Sequence, residues 1–277
     1  YREAMPALAE AFGPRSIAHA HALSHFAVVL SATGDHPAAL TTAANAVAVG
    51  ASAAAGGEDL ATLQLNHGAV LLEAGQLDAA IAPLLDARAG FLAAGQPGVA
   101  AQALSNLGQL RGDLARRRAD LALERQAIAD LERAADEFTA AWGADHAEVG
   151  LALVNLAVLH VERGRCARAV PLAERAAVIA GDGPDAATAL VVIARCRLAA
   201  GAAAAAAPLL ERALALQATG HDPALVAEAE AWLGLALIAR GDATLGAARL
   251  RAARPALVGK DHQADLVARV DRALAAP

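Results

Sequence analysis

The chain alternates apolar stripes at helical spacing with short breaks rich in glycine and proline. Leu, Val and Ala recur three and four positions apart, as in "LVNLAVLHVERG" at 153–164. This spacing places the apolar side chains on one face of an α-helix. In the breaks "GPRS", "GQPG" and "GDGPD", a glycine closes one helix and a proline opens the next. The pattern therefore predicts a chain of many short helices without strands.

The helices belong to an internal repeat. "QLNHGAVL", "ALSNLGQL" and "ALVNLAVL" place Asn66, Asn106 and Asn155 at the same point of a recurring pattern. Each copy has a small residue in its first helix, such as Gly68, and most have a glycine where that helix ends, such as Gly75. The small residue lets two helices approach closely, because a larger side chain would push them apart. Copies of this kind match the tetratricopeptide pattern.

Six copies and two flanking segments cover the chain, and they predict one domain over residues 1–277. The predicted segments are a partial repeat at 1–13, repeats at 16–50, 58–94, 99–141, 147–180, 185–219 and 224–258, and a capping helix at 261–276. The predicted fold is all-α, a right-handed α-solenoid of stacked antiparallel helix pairs with about fourteen helices. The third repeat needs about seven extra residues, so each helix of that pair gains about one turn.

Composition and charge argue against a membrane span and against a nucleic-acid partner. Aromatic residues make up 3% of the chain, so Leu, Val and Ala must build the core. Polar residues and glycines interrupt the stretches that lack charge, and no membrane span is expected. A net charge of −6 argues against a nucleic-acid partner, and the triplet Arg116–Arg118 is interpreted as a solvated helix face.

Two cysteines, Cys166 and Cys196, lie thirty positions apart within predicted helices. This spacing is neither a disulfide framework nor a metal-binding motif. We therefore expect reduced thiols and a cytoplasmic location. Because the sequence begins at Tyr1 rather than at a methionine, it is interpreted as a piece of a longer protein.

The stretch "FTAAWGADHAEVGLALVNLAVLHVERGRCARAVPLAERA" and the asparagines of the first helices resemble the tetratricopeptide repeats of the kinesin light chain type. The resemblance covers essentially the whole chain and implies a scaffold that binds a protein or a peptide. Val192 and Trp232 depart from it, since asparagine is expected at both positions. The alanine-rich end also resembles the repeat regions behind bacterial serine/threonine kinase domains, as in myxobacteria. That second resemblance implies an alternative function, regulation in cis of a larger signalling protein.

First helices of such a solenoid line a concave groove, which is the candidate peptide-binding site. Side chains spaced four, three and four positions apart share this face, and they include Val28, Thr62 and Gln102. The candidate contacts are His25, Asn66, Glu73, Asn106, Gln109, Asp113, Asn155, Glu162, Arg195 and Trp232. The expected ligand is an extended peptide or an upstream domain of the same chain, bound by a monomer or a weak homodimer.

Three asparagines would form a ladder along the groove, since each amide both donates and accepts hydrogen bonds to a peptide backbone. The alternative is that these amides bond neighbouring helices and only stabilise the stack. Glu73, Asp113 and Glu162 would add an acidic rim that favours a neutral or basic ligand. Trp232 is either an aromatic anchor for the ligand or a packing residue.

Other chemistry finds little support in the sequence. His21 and His25 have a spacing that can hold a metal, but a third protein ligand is not evident, so no metal is predicted. No glycine-rich phosphate loop or catalytic aspartate loop occurs, and His160, Glu162 and Cys166 lack an oriented third partner. We therefore expect no catalytic residue and no cofactor. An enzyme with an unfamiliar site in the superhelix is the remaining alternative.

Overall fold

A computed structural model of the chain describes residues 10–217, 223–259 and 263–275. In these ranges the chain forms thirteen helices and no strand, which confirms the all-α class. The helices are α1 (Ile17–Ala32), α2 (His36–Ser52), α3 (Gly57–Glu73), α4 (Leu77–Ala93), α5 (Pro97–Arg118), α6 (Leu121–Trp142), α7 (Ala147–Glu162), α8 (Cys166–Ala180), α9 (Ala186–Ala199), α10 (Ala203–Gln217), α11 (Pro223–Ala239), α12 (Ala243–Leu257) and α13 (Ala264–Ala275). Most of the predicted partial repeat at 1–13 lies outside the described residues.

The helices form two compact units, which meet in sequence after Gly143. The N-terminal unit contains the pairs α1/α2, α3/α4 and α5/α6. The C-terminal unit contains the pairs α7/α8, α9/α10 and α11/α12, followed by α13. Within each unit the first helices of successive pairs contact each other, so each unit is a stack of helix pairs. A single domain running through all six repeats stays a prediction.

Glycines with positive φ follow the first helices, as the repeat pattern predicts. They are Gly34, Gly75, Gly164, Gly201 and Gly241. The third repeat differs, because α5 ends at Ala119 with a φ of 52°. Alanine rarely adopts this left-handed conformation, since its Cβ crowds the backbone there. Ala119 is therefore a position where the sequence does not match its local backbone.

Close contact between paired helices depends on small residues. A Cβ added at Gly108 of α5 would lie 2.7 Å from the Cγ of Leu131 on α6. A Cβ added at Gly246 of α12 would lie 2.6 Å from the carbonyl oxygen of Gly234 on α11. Neither space could hold a larger side chain without moving a helix. These contacts give the repeated small residue its physical role.

Leucines and alanines fill the space between the helices, as the scarcity of aromatic residues requires. Leu84, Leu107 and Leu131 are fully buried in the N-terminal unit, and Leu210 and Leu233 are fully buried in the C-terminal unit. Over the stretches that the structure covers, no helix is both long enough and apolar enough to cross a membrane.

The third helix pair is longer than the others, as the insertion predicts. Both α5 and α6 have 22 residues, whereas α4 has 17 and α7 has 16. The arginine triplet forms the last turn of α5, where positive charge offsets the negative end of the helix dipole. Arg117 and Arg118 are exposed, and Arg118 donates a hydrogen bond of 2.7 Å to Asp78 at the start of α4. Arg117 and Arg118 therefore lie at a solvated end of the helix, whereas Arg116 is partly buried and pairs with Asp113.

Ion pairs tie the longer pair to the preceding repeat. Arg88 of α4, which is almost fully buried, donates hydrogen bonds of 2.9 and 2.8 Å to the two carboxylate oxygens of Glu137 on α6. It also donates to the carbonyl of Ala100 on α5, at 3.1 Å. These hydrogen bonds hold the pKa of Glu137 below its ordinary value. Burial instead raises the pKa of Asp130, although Arg111 pairs with it and opposes the shift.

The two cysteines form a disulfide, so the expectation of reduced thiols is wrong. Cys166 is the first residue of α8, and Cys196 lies in the last turn of α9. These helices pack against each other, which brings the two Cα atoms to 5.5 Å, a normal disulfide separation. Sequence spacing carries no information about this approach, since it arises from the packing of one repeat on the next. A cytoplasmic location loses the support of reduced cysteines and stays a prediction.

Candidate peptide-binding groove

The first helices of the N-terminal unit line a cavity of about 480 Å³. We call this cavity and the exposed surface around it the N-terminal groove. Its lining residues are His25, Val28, Val29, Thr62, Leu65, Asn66, Phe91, Val99 and Gln102. Aliphatic side chains and one aromatic ring make most of this wall, and amides, a hydroxyl and an imidazole supply its polar groups. No Asp, Glu, Lys or Arg is among these lining residues.

The structure divides the predicted site residues between the two units. His25, Asn66, Glu73, Asn106, Gln109 and Asp113 belong to the N-terminal unit, and Asn155, Glu162, Arg195 and Trp232 belong to the C-terminal unit. Among the first group, His25 and Asn66 line the cavity together with the predicted groove positions Val28, Thr62 and Gln102. Sequence reasoning missed Phe91, because this ring comes from the second helix α4 while only first helices were considered.

Asn66 stabilises the stack through its own amide. Its Nδ2 donates a hydrogen bond of 2.9 Å to the hydroxyl of Ser24, which is 1% exposed. The bond joins α3 to α1 and supplies a partner to a buried hydroxyl. The stabilising alternative therefore applies at this asparagine, which also lines the cavity.

Asn106 and Asn155 differ from Asn66. Both side chains are partly exposed. Across residues 10–217, 223–259 and 263–275, neither amide makes a hydrogen bond with the protein. Asn106 lies on α5 one helical turn beyond Gln102, a residue that lines the cavity. Its donors and acceptor are therefore available next to the N-terminal groove.

The predicted acidic rim is partly engaged with the protein itself. The carboxylate of Glu73 accepts a hydrogen bond from the hydroxyl of Ser31 on α1. Asp113 pairs with Arg116 at 2.6 Å, so part of its charge is neutralised. Glu162 is exposed at the end of α7. The cavity lining itself is uncharged, whereas Glu73 keeps its charge at the rim and Asp113 shares its charge with Arg116, so the expected preference for a basic ligand is weakened but not removed.

The histidine pair at the groove does not assemble a metal site. The Nε2 of His21 lies 2.9 Å from a carboxylate oxygen of Asp59 on α3. The rings of His21 and His25 have centroids 6.5 Å apart. Within the described ranges, no group of three or more potential metal ligands comes together.

In the C-terminal unit, Arg195 contacts Trp232, and Arg269 of α13 contacts the same ring. Trp232 is 8% exposed, and the guanidinium groups of Arg195 and Arg269 lie 5.1 and 5.8 Å from the centroid of its ring. Its indole nitrogen donates to Glu228 at 3.3 Å, and Gln263 donates to the other carboxylate oxygen at 3.1 Å. Trp232 therefore has the surroundings of a packing residue. Its contribution to ligand binding stays a prediction.

Solved structures of other proteins share this architecture. BtubC (BKLC) from P. vanneervenii is 18% identical, and the match covers 87% of this chain and 89% of that chain with a TM-score of 0.58. The Rap protein complexed with Competence and Sporulation Factor is 13% identical over 91% of this chain and 72% of that chain, with a TM-score of 0.65.

Other solved structures resemble the chain less closely. A thermophilic TPR protein from Thermus thermophilus is 20% identical over 77% of this chain and 98% of its own, but its TM-score of 0.49 is too low to bear on the fold. No family model and no curated protein matches the sequence. At such low identities, structural likeness speaks for the fold alone. By fold the chain is all-α, and each of its two units is a stack of helix pairs, as the repeat pattern predicts.

Proposed function

We propose that the chain is a non-catalytic binding module that holds an extended peptide segment of a partner protein in the N-terminal groove. The cavity between the first helices carries this proposal. Its wall is apolar and uncharged, and amide groups lie at its side. A neutral peptide with a bulky aliphatic side chain would fit such a surface. The similar Rap protein was solved with a bound factor, which supports a binding role for a fold of this kind.

The apolar part of the groove supplies the driving force. Val28 and Val29 are 40% and 41% exposed, although they face a concave surface lined by Leu65 and Phe91. Covering such side chains contributes about 25 cal/mol for each Å² of apolar surface removed from water. A ligand side chain that fills the cavity would gain this contribution, and it would bring its own backbone alongside α3 and α5.

The amides of the groove supply orientation. A peptide in extended conformation presents unpaired N–H and C=O groups along its length, and their burial is unfavourable without hydrogen bonds. The side chain of Asn106 can donate to one of these groups and accept from another. Recognition through backbone groups would tolerate many ligand sequences, while the apolar cavity would select for one bulky side chain.

The test begins with a displayed library of peptides about twelve residues long, which span roughly 40 Å when extended. Peptides enriched on the wild-type chain are synthesised, and their dissociation constants are measured by calorimetry. Asn106→Ala should weaken binding by roughly fivefold to tenfold, because one or two hydrogen bonds to the ligand are lost.

A matched control is available in the same unit. Asn45 is an exposed asparagine of α2, outside the groove. Asn45→Ala should leave the dissociation constant unchanged. If the two variants bind the selected peptide equally well, the groove is not the binding site and the proposal fails.

Regulation in cis of an upstream domain remains an alternative prediction. It rests on the resemblance of the alanine-rich end to repeat regions behind kinase domains, and no specific contact favours it. A bacterial origin, a signalling role and the oligomeric state are predictions on the same footing.

A further inference from the structure

The disulfide of the C-terminal unit joins a partly exposed cysteine to a buried one. Cys196 is 5% exposed and belongs to an apolar cluster with Ala173 and Val192. Cys166 is only partly buried and opens α8, directly after the turn that follows α7. We therefore expect a reagent from solvent to reach Cys166 before Cys196.

Arginines surround this disulfide in sequence. Arg163, Arg165 and Arg168 lie within three residues of Cys166, and Arg197 follows Cys196 directly. All four side chains are exposed, and Glu162 is the one carboxylate within four residues of Cys166. Arg195 precedes Cys196 and pairs with Glu228, so these four arginines and Glu162 leave a formal sum of +3 next to the disulfide in sequence, whereas the whole chain carries −6.

The position of Cys166 in its helix adds to this local charge. As the first helical residue of α8, its sulfur lies at the positive end of the helix dipole. Both the dipole and the arginines stabilise a negative charge that approaches or forms at this sulfur. A purely structural disulfide has no need for such an electropositive and accessible setting.

We propose that Cys166–Cys196 is a thiol–disulfide exchange site that takes small anionic thiols and is attacked at Cys166. The arginines raise the local concentration of a thiol that carries carboxylates. They also stabilise its thiolate as it approaches the sulfur of Cys166.

The exchange proceeds in two balanced steps. In the first, the incoming thiolate forms a bond to the Sγ of Cys166, the protein disulfide breaks, and the electron pair leaves on the Sγ of Cys196, which takes a proton from water. In the second, another thiolate attacks the ligand sulfur of this mixed disulfide and releases Cys166 as a thiolate, which is then protonated. Two small thiols are oxidised to one small disulfide, and the protein disulfide is reduced to two thiols.

The test compares two thiols at equal thiolate concentration, the dianionic mercaptosuccinate and the cationic cysteamine, on the folded chain. Free thiols are blocked at intervals, and peptide mapping by mass spectrometry identifies the modified cysteine. At low salt the anionic thiol should react about tenfold faster than the cationic one, and added salt should close this gap. The first adduct should sit on Cys166.

Variants separate the charge effect from simple exposure. Arg165→Gln with Arg168→Gln should reduce the preference for the anionic thiol from about tenfold to about threefold, since Arg163 and Arg197 remain. The control pair, Arg175→Gln with Arg212→Gln, removes two accessible arginines of the same unit that pair with Asp145 and Asp182. This control should keep the preference, and melting curves of both double variants show whether the fold is retained.

Several results would overturn the proposal. They are equal rates for the two thiols at low salt, a first adduct on Cys196, or reduction only after the chain is unfolded. A further variant guards against a trivial failure, since Cys196→Ser leaves Cys166 as a single thiol. The rate at which that thiol reacts with a dianionic aromatic disulfide reagent should fall when Arg165→Gln and Arg168→Gln are added, and an unchanged rate would count against the role of the arginines.

Discussion

Asn66 and Asn106 occupy equivalent positions of successive repeats, and the structure assigns them opposite effects on stability. Asn66→Ala removes the 2.9 Å hydrogen bond to Ser24 and leaves a hydroxyl that is 1% exposed without this partner. Loss of such a bond to a buried group costs about 1–3 kcal/mol. Alanine favours the helix over asparagine by roughly 0.6 kcal/mol. The free energy of unfolding should therefore fall by about 1–2 kcal/mol.

Asn106→Ala should change the free energy of unfolding in the opposite direction. Within the part of the chain that the structure covers, its amide bonds to no protein group, so only the helix propensity changes. The free energy of unfolding should rise by roughly 0.5 kcal/mol. Urea unfolding followed by circular dichroism measures both variants. In a double-mutant cycle, Asn66→Ala and Ser24→Ala should couple by about 1 kcal/mol. If Asn66→Ala is as stable as the wild type, or if Asn106→Ala loses as much, the assignment of the two roles is refuted.

Three further predictions concern packing, backbone and charge. Gly246→Ala should lower the free energy of unfolding by about 1–3 kcal/mol in urea, because its Cβ would lie 2.6 Å from the carbonyl oxygen of Gly234. Gly57→Ala, in open space, should leave that energy unchanged or raise it. Ala119→Gly should raise the melting temperature, since glycine relieves a left-handed alanine at a gain of up to about 1 kcal/mol. Burial lowers the pKa of His67 below its ordinary value, so the folded chain resists its protonation. Urea midpoints should therefore fall as the pH drops from about 7.5 to about 5.5, and His67→Gln should reduce this dependence.

The repeat pattern predicted the fold because its signals are local. Spaced leucines and alanines form the helix faces, and glycines such as Gly75 end the helices wherever a left-handed residue is needed. A larger residue at Gly108 would collide with Leu131, so the small residue of the pattern reports directly on helix packing. Each of these requirements lies within one repeat, and a single sequence therefore displays it.

The parts that the sequence did not predict depend on contacts between elements far apart in the chain. Cys166 and Cys196 meet because α8 packs on α9, and Trp232 is covered because α13 returns toward α11. Asn66 and Asn106 share one motif, but a serine stands opposite the first of them on the neighbouring helix. The motif alone predicts an amide at each position and does not reveal its partner.

The central claim is that a peptide enters the N-terminal groove, and methyl NMR tests it most directly. Valine methyl groups of the chain are labelled, and the peptide selected from the library is added stepwise. The account predicts shifts for Val28, Val29 and Val99, which line the cavity, and none for Val178, which is 71% exposed on α8. Shifts at Val178 with unchanged signals from the groove valines would contradict the account.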